Sequence, residues 1–138
     1  MMNTSFHVVL GVDWGTKHVG LALGFLDDHI TTHCGTIQFV SFDDCVDRLQ
    51  KVVSEHDVDV VVLGFPQWSH DKRMIARVRD FGDRLAKALS LPVFYWNEMM
   101  TSKEAQKNLH SGVFPSGADV HQESARIMIQ DWIDHGNV

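Results

Sequence analysis

The chain has 138 residues, 44% of them hydrophobic, with 12 Lys and Arg against 18 Asp and Glu, a formal net charge of −6. That length suits one domain, residues 1–138, able to bury roughly two-thirds of its unfolded surface around a single core. No stretch approaches the ~18 apolar residues of a membrane span, and no basic region followed by an apolar one opens the chain, so a cytoplasmic protein with no membrane attachment is expected.

An acidic whole argues against nucleic-acid binding, but the charge is unevenly spread. From Lys72 to His110 there are eight Lys or Arg against four acids, a local balance of +4, and the remainder carries four against fourteen, or −10. A basic segment on an acidic body is compatible with one face meeting phosphates, although solvated helix surface produces the same pattern. Cys34 and Cys45 form no metal-binding or redox motif and are expected to be reduced thiols.

The first elements form a hairpin. An apolar run from Phe6 to Val12 delivers Asp13, Trp14-Gly15-Thr16 makes the bend, and a second run from Val19 to Leu23 returns. A carboxylate at the end of a buried strand is costly unless it is paired, hydrogen-bonded or holding a cation. Gly15 lets backbone N–H groups approach an anion, and Thr16 and Lys17 add a hydroxyl and an ammonium. Asp and Gly also serve ordinary turns; the extension to Lys17 and Gly20 favours a functional reading. The segment resembles the first motif of the YqgF family, also called RuvX, assigned to Holliday-junction resolution or pre-ribosomal-RNA cleavage on an RNase H-like fold. It resembles more loosely the phosphate motif of the actin-like kinases, which need two lobes for one active site, more than 138 residues supply.

Further along, His29 to Val40 is rich in Thr, Ile and Val and reads as the third strand of a meander. His29 and His33 would share one face of it, either as a metal pair or, for want of a third ligand, as two half-exposed histidines. Ser41 and Asp44 read as a capping box for a helix from Phe42 to Glu55 that buries Cys45, Val46, Leu49, Val52 and Val53. The β-branched run in Asp57 to Gly64 predicts a central parallel strand covered on both faces. It closes on Gly64-Phe65-Pro66, resembling the family's Gly-Leu-Pro. A loop around Gln67-Trp68 and a capping Ser69 lead into a helix to Leu89, with Met74, Val78, Phe81 and Leu85 on one side and the basic residues elsewhere.

Val93 to Trp96 predicts the last strand, ending in Asn97-Glu98-Met99-Met100-Thr101-Ser102. This resembles the family's Asp-Glu-Arg-Leu-Thr-Ser/Thr motif, so Glu98 inherits the role of an active-site acid; Asn97 and Met99 replace the family's Asp and Arg. Thr101 and Glu104 also make a capping box for a short helix to His110. Ser111 to Gly117 is a loop able to close over a substrate. In the final helix, Ala118 to His135, matching Ser124-Ala125-Arg126-Ile127-Met128-Ile129-Gln130 to the family pattern puts His121 where a third acid, an Asp, is expected. Asp119 and Glu123 lie two positions to either side, about 200° around the helix, and should point away.

The resemblance therefore implies an α/β, RNase H-like domain with a mixed five-stranded sheet, three antiparallel strands then two parallel, and helices on both faces. It implies a nuclease with two Mg²⁺ or Mn²⁺ ions held by Asp13, Glu98 and His121, with Gly15, Thr16, Lys17 and Thr101 as substrate contacts; Arg73, Arg77 and Lys103 are the members of the basic segment expected to bind nucleic acid. His121 admits three readings: a metal ligand or general base, the mark of a weakened member, or a histidine satisfied in the core. The substrate would be a ribosomal-RNA precursor, with association with ribosomes, or branched DNA. Cutting both strands of a junction would need a homodimer, whereas RNA cleavage is open to a monomer. The reading from another class is a nucleic-acid-binding or ribosome-assembly module that keeps the fold without full metal binding.

Overall fold

The computed structural model describes residues 6–15, 17–65, 72–97 and 119–135. Five strands, β1 (Val8–Trp14), β2 (His18–Phe25), β3 (Ile30–Gln38), β4 (Val60–Phe65) and β5 (Val93–Asn97), form one sheet in the order β3-β2-β1-β4-β5. β1, β2 and β3 pair antiparallel; β4 lies parallel to β1 and β5 parallel to β4. Helices α1 (Phe42–His56) and α2 (Lys72–Leu89) cover one face, and α3 (Val120–Asp134) covers the other. This is the mixed sheet, clad on both sides, that the sequence predicts. Among the described residues, no helix is long and apolar enough to cross a membrane.

Strand alternation sorts the side chains into two cores. Leu10, Val12 and Trp14 of β1 pack with Val19, Leu21, Leu63, Leu49, Phe81 and Leu85 on the α1–α2 side. Val9, Ala22, Val60 and Val62 pack with Met128, Ile129, Trp132 and Ile133 on the α3 side. Val60 to Leu63 are fully buried, as a strand covered on both faces requires.

Local chemistry sets the boundaries. Ser41, in extended conformation, accepts a hydrogen bond from the Asp44 N–H at 3.1 Å and starts α1. Asp57, read from sequence as the first strand residue, instead closes α1 in the left-handed region (φ 53°), its N–H returning to the Val53 carbonyl, and β4 begins only at Val60. His29 also departs from expectation. It sits in the β2–β3 turn with φ 56°, exposed, and shares no strand face with His33. Within β3 a bulge opposite Leu21 and Ala22 skips Cys34, and Gly35 takes φ 101° there. The extra residue changes the parity, so Thr31 and His33 before the bulge and Thr36 after it all bond to α3.

The helix α3 sits close on β1 and β2. A Cβ on Gly20 would overlap the backbone carbonyl of His121, and one on Gly11 would overlap the Ile129 side chain. Backbone cannot yield as a side-chain tip can, so Gly20→Ala should destabilise by about 1–3 kcal/mol, read as a lower urea midpoint. Asp57→Gly, which relieves a left-handed non-glycine residue, should raise that midpoint.

Candidate active site

β1 places Asp13 at its carboxyl-terminal end, in register with Gly20 of β2 and Gly64 of β4. Val12 and Trp14 point into the α1–α2 core, so the Asp13 side chain emerges on the α3 face. It is half-buried. Over Gly20, its strand partner, lies His121 in the first turn of α3. The absence of a side chain at Gly20 thus brings the α3 backbone beside the strand end that carries the carboxylate. The parallel strands end at the same edge. Gly64 pairs with Trp96 and Phe65 with Asn97, so β5 leaves the sheet at the same carboxyl-terminal edge. Glu98 follows immediately and lies outside the described residues, as do Thr16, Thr101, Lys103, the loop and capping Ser69 after β4, the short helix to His110 and the loop from Ser111 to Gly117.

A second histidine joins His121. His18, the first residue of β2, stacks its ring on that of His121, with centroids 5.3 Å apart and planes 11° from parallel. Sequence reasoning did not single out His18. The available signal was its parity with Gly20, Ala22 and Gly24, which places all four on the face that receives α3.

The expected substrate contacts fall into a different group. Gly15 lies at the hairpin bend, where a Cβ would meet the His18 carbonyl oxygen at 2.7 Å. Lys17 and Arg77 line one cleft on the α1–α2 side. Arg73 is exposed on α2. Asp13 and His121 on one face and Lys17 and Arg77 on the other are therefore separated by the sheet.

A family model described as RuvX, Holliday junction resolvase, matches residues 7–135. The chain belongs to the RuvX family. A relative from Trichormus variabilis, provisionally named a pre-16S rRNA nuclease, is 36% identical over 137 residues, covering 95% of this chain and 90% of its own. Another with that provisional name, from Caldanaerobacter subterraneus, is 30% identical over 132 residues, covering 91% and 95%. Among solved structures, Thermus thermophilus RuvC in complex with a Holliday junction superposes with a TM-score of 0.70 at 13% identity, over 94% of each chain. The fowlpox virus Holliday junction resolvase gives 0.57 at 11% identity, over 93% of this chain and 99% of its own. These likenesses show the RNase H-like fold.

Within this RuvX fold the acids flanking His121 are committed elsewhere. Asp119 caps α3 by accepting from the Gln122 N–H at 2.9 Å and takes the Thr36 hydroxyl at 2.7 Å. Burial pushes its pKa up, but these hydrogen bonds outweigh burial and hold it low. Glu123, almost fully buried, receives Arg126 through both oxygens at 2.6 and 3.0 Å, and lies 2.7 Å from His33 Nε2. The Arg126 hydrogen bonds are the main reason its carboxyl sits below the usual range, against burial. Both acids face β3. Among the described residues no three His, Cys, Asp or Glu side chains converge as a metal cluster; Asp13 and His121 are the two donors present from the expected set.

Folding favours the charged form of Glu123, so its contribution to stability is complete above the ordinary carboxyl range and disappears as pH falls through its lowered folded value. Glu123→Ala, which leaves Arg126 only its bond to Thr31, should cost about 1–3 kcal/mol at neutral pH. Glu123→Gln should cost less, and its deficit should close on acidification in urea unfolding followed across pH.

Proposed function

We propose that this chain is a metal-dependent endonuclease that hydrolyses phosphodiester bonds in structured nucleic acid, with precursor ribosomal RNA as the favoured substrate. The observation that carries the reading is the seating of the His121 backbone against Gly20, the strand partner of Asp13, in a chain that belongs to the RuvX family. The RNA preference rests on the names of the relatives at 30–36% identity; the junction-bound neighbour shares the fold at 13%.

The donor set is chemically suited to a divalent ion. Asp13 offers hard oxygen and His121 an imidazole nitrogen, a combination that accommodates Mn²⁺ more readily than Mg²⁺. Glu98, next in sequence after β5, is assigned as the second carboxylate ligand. A bound pair of such ions would activate water and stabilise the leaving oxygen. The protein's own part is to orient the phosphate at the strand end and to move a proton. Water attacks phosphorus, the bridging P–O bond breaks, and the proton released from water returns to the leaving oxygen. A neutral imidazole at His121 can carry that proton, and the stacked His18 ring limits its rotation.

A second reading has its own support. Asp119 and Glu123 are bound to β3, so neither replaces the acid missing at position 121, and a nucleic-acid-binding module with incomplete metal binding fits that fact. Cleavage of labelled pre-rRNA and four-way-junction substrates in Mg²⁺ and in Mn²⁺ separates the two. The nuclease reading expects wild-type cleavage, stronger in Mn²⁺, that Asp13→Asn reduces at least about 100-fold, since losing a ligand costs no less than losing its supporting partner. A silent wild type with an active His121→Asp variant would establish the binding module instead.

A further inference from the structure

The cleft on the opposite side of the sheet carries the next step. It measures 620 Å³ and is lined by Lys17 from the hairpin bend, Phe39 and Val40 from the β3–α1 connection, Phe42 from α1, and Arg77 and Asp80 from α2. Neighbouring cations are already neutralised: Arg48 pairs with Asp44 at 3.3 Å, and Arg84 with Asp80 and Asp43 at 3.4 and 3.6 Å. Lys17 and Arg77 form no ion pair with any described residue. The Arg77 guanidinium instead lies 5.9 Å from the Trp14 ring and 5.7 Å from the Phe42 ring. Aromatic faces attract its charge without consuming its N–H donors, which leaves them for an anion. Asp80 opposes an anion only weakly, because Arg84 is paired to it. Beside the two cations stand apolar groups, including Val40 at 94% exposure. Cations for phosphate next to apolar surface for bases, offered by the exposed Val40 and the half-buried Phe39, suit a single strand; a duplex would offer the cleft phosphates alone.

We propose that this cleft is a binding site for a single-stranded segment of nucleic acid flanking the scissile bond, with Lys17 and Arg77 on its phosphates. The inference rests on the nuclease reading for its substrate class and extends it across the sheet. Asp13 and Trp14 are consecutive and project through opposite faces, so a strand crossing the end of β1 meets the carboxylate on one side and the Trp14-supported Arg77 on the other.

The test is the affinity of a labelled oligouridylate, by fluorescence anisotropy in metal-free buffer across a salt series, for wild type, Lys17→Ala/Arg77→Ala and the exposed control Lys87→Ala, with cleavage assayed separately. The double variant should bind at least about tenfold more weakly, with its salt slope reduced by about 0.7 for each phosphate it no longer neutralises. Lys87→Ala should match wild type, and an unlabelled single strand should compete better than a duplex of equal length. Double-variant binding equal to wild type would overturn the proposal, as would preferential competition by duplex. Absence of cleavage with the Lys17 and Arg77 dependence intact would remove the nuclease reading and leave the site standing. Asp13-dependent cleavage with that dependence absent would do the reverse.

Discussion

The close seat of α3 on β1 and β2 is the constraint on which the rest depends. A helix normally rests on a sheet through side chains on both, but here Gly11 and Gly20 remove the sheet's share, so Ile129 and the His121 backbone come down onto the strands. Dispersion falls off steeply with separation, and this approach joins the α3-side core from Val9 to Ile133. It also decides what the site can contain. With the helix backbone against Gly20, the strand partner of Asp13, the α3 residue brought to that strand end among the described residues is His121.

Such a seat would be costly for a helix with polar residues on its flank unless each found a partner. β3 supplies them. Thr36 meets Asp119, the Gly35 N–H meets Gln122 at 2.9 Å, His33 meets Glu123, and the Thr31 hydroxyl donates to Gln130 at 2.9 Å. The bulge at Cys34 makes this possible, because an unbroken strand would have sent Thr36 toward the α1–α2 core. The fastening also fixes the helix rotation. With Gln122 and Glu123 turned to β3, rotating α3 to offer a different acid to Asp13 would break all of these hydrogen bonds at once. The histidine at 121 is therefore held in place by the packing of its neighbours, whatever its chemical role.

Much of the fold was legible because its signals are local. The alternation of β1 and β2, the β-branched run of β4, the apolar stripe of α2 and the Ser41 cap each follow from residues within one element, and the RuvX resemblance supplied their order. The errors fall where a residue's fate depends on its neighbours. Asp57 looks like the head of a β-branched run, yet it tolerates the left-handed region that ends a helix. His29 has a strand's spacing to His33 but falls in the turn, since β2 runs to Phe25. At the site, Asp13 and His121 could be marked by motif position. His18 could not, because its stacking on His121 spans 103 positions of chain and exists only once α3 has docked.

One strand end serves two faces, and the reason is the pleat. Successive side chains of β1 alternate, so the residue that carries a carboxylate to the α3 side must be followed by one that faces α1 and α2. Trp14 fills that position, buried to 5% exposure. Its ring contributes to the core beneath α1 and at the same time presents a face to Arg77. A smaller apolar residue would satisfy the core but would offer the guanidinium no ring face. The choice of tryptophan next to the site's aspartate thus couples the two sides of the sheet through a single peptide bond, and a shift of register in β1 would displace both together.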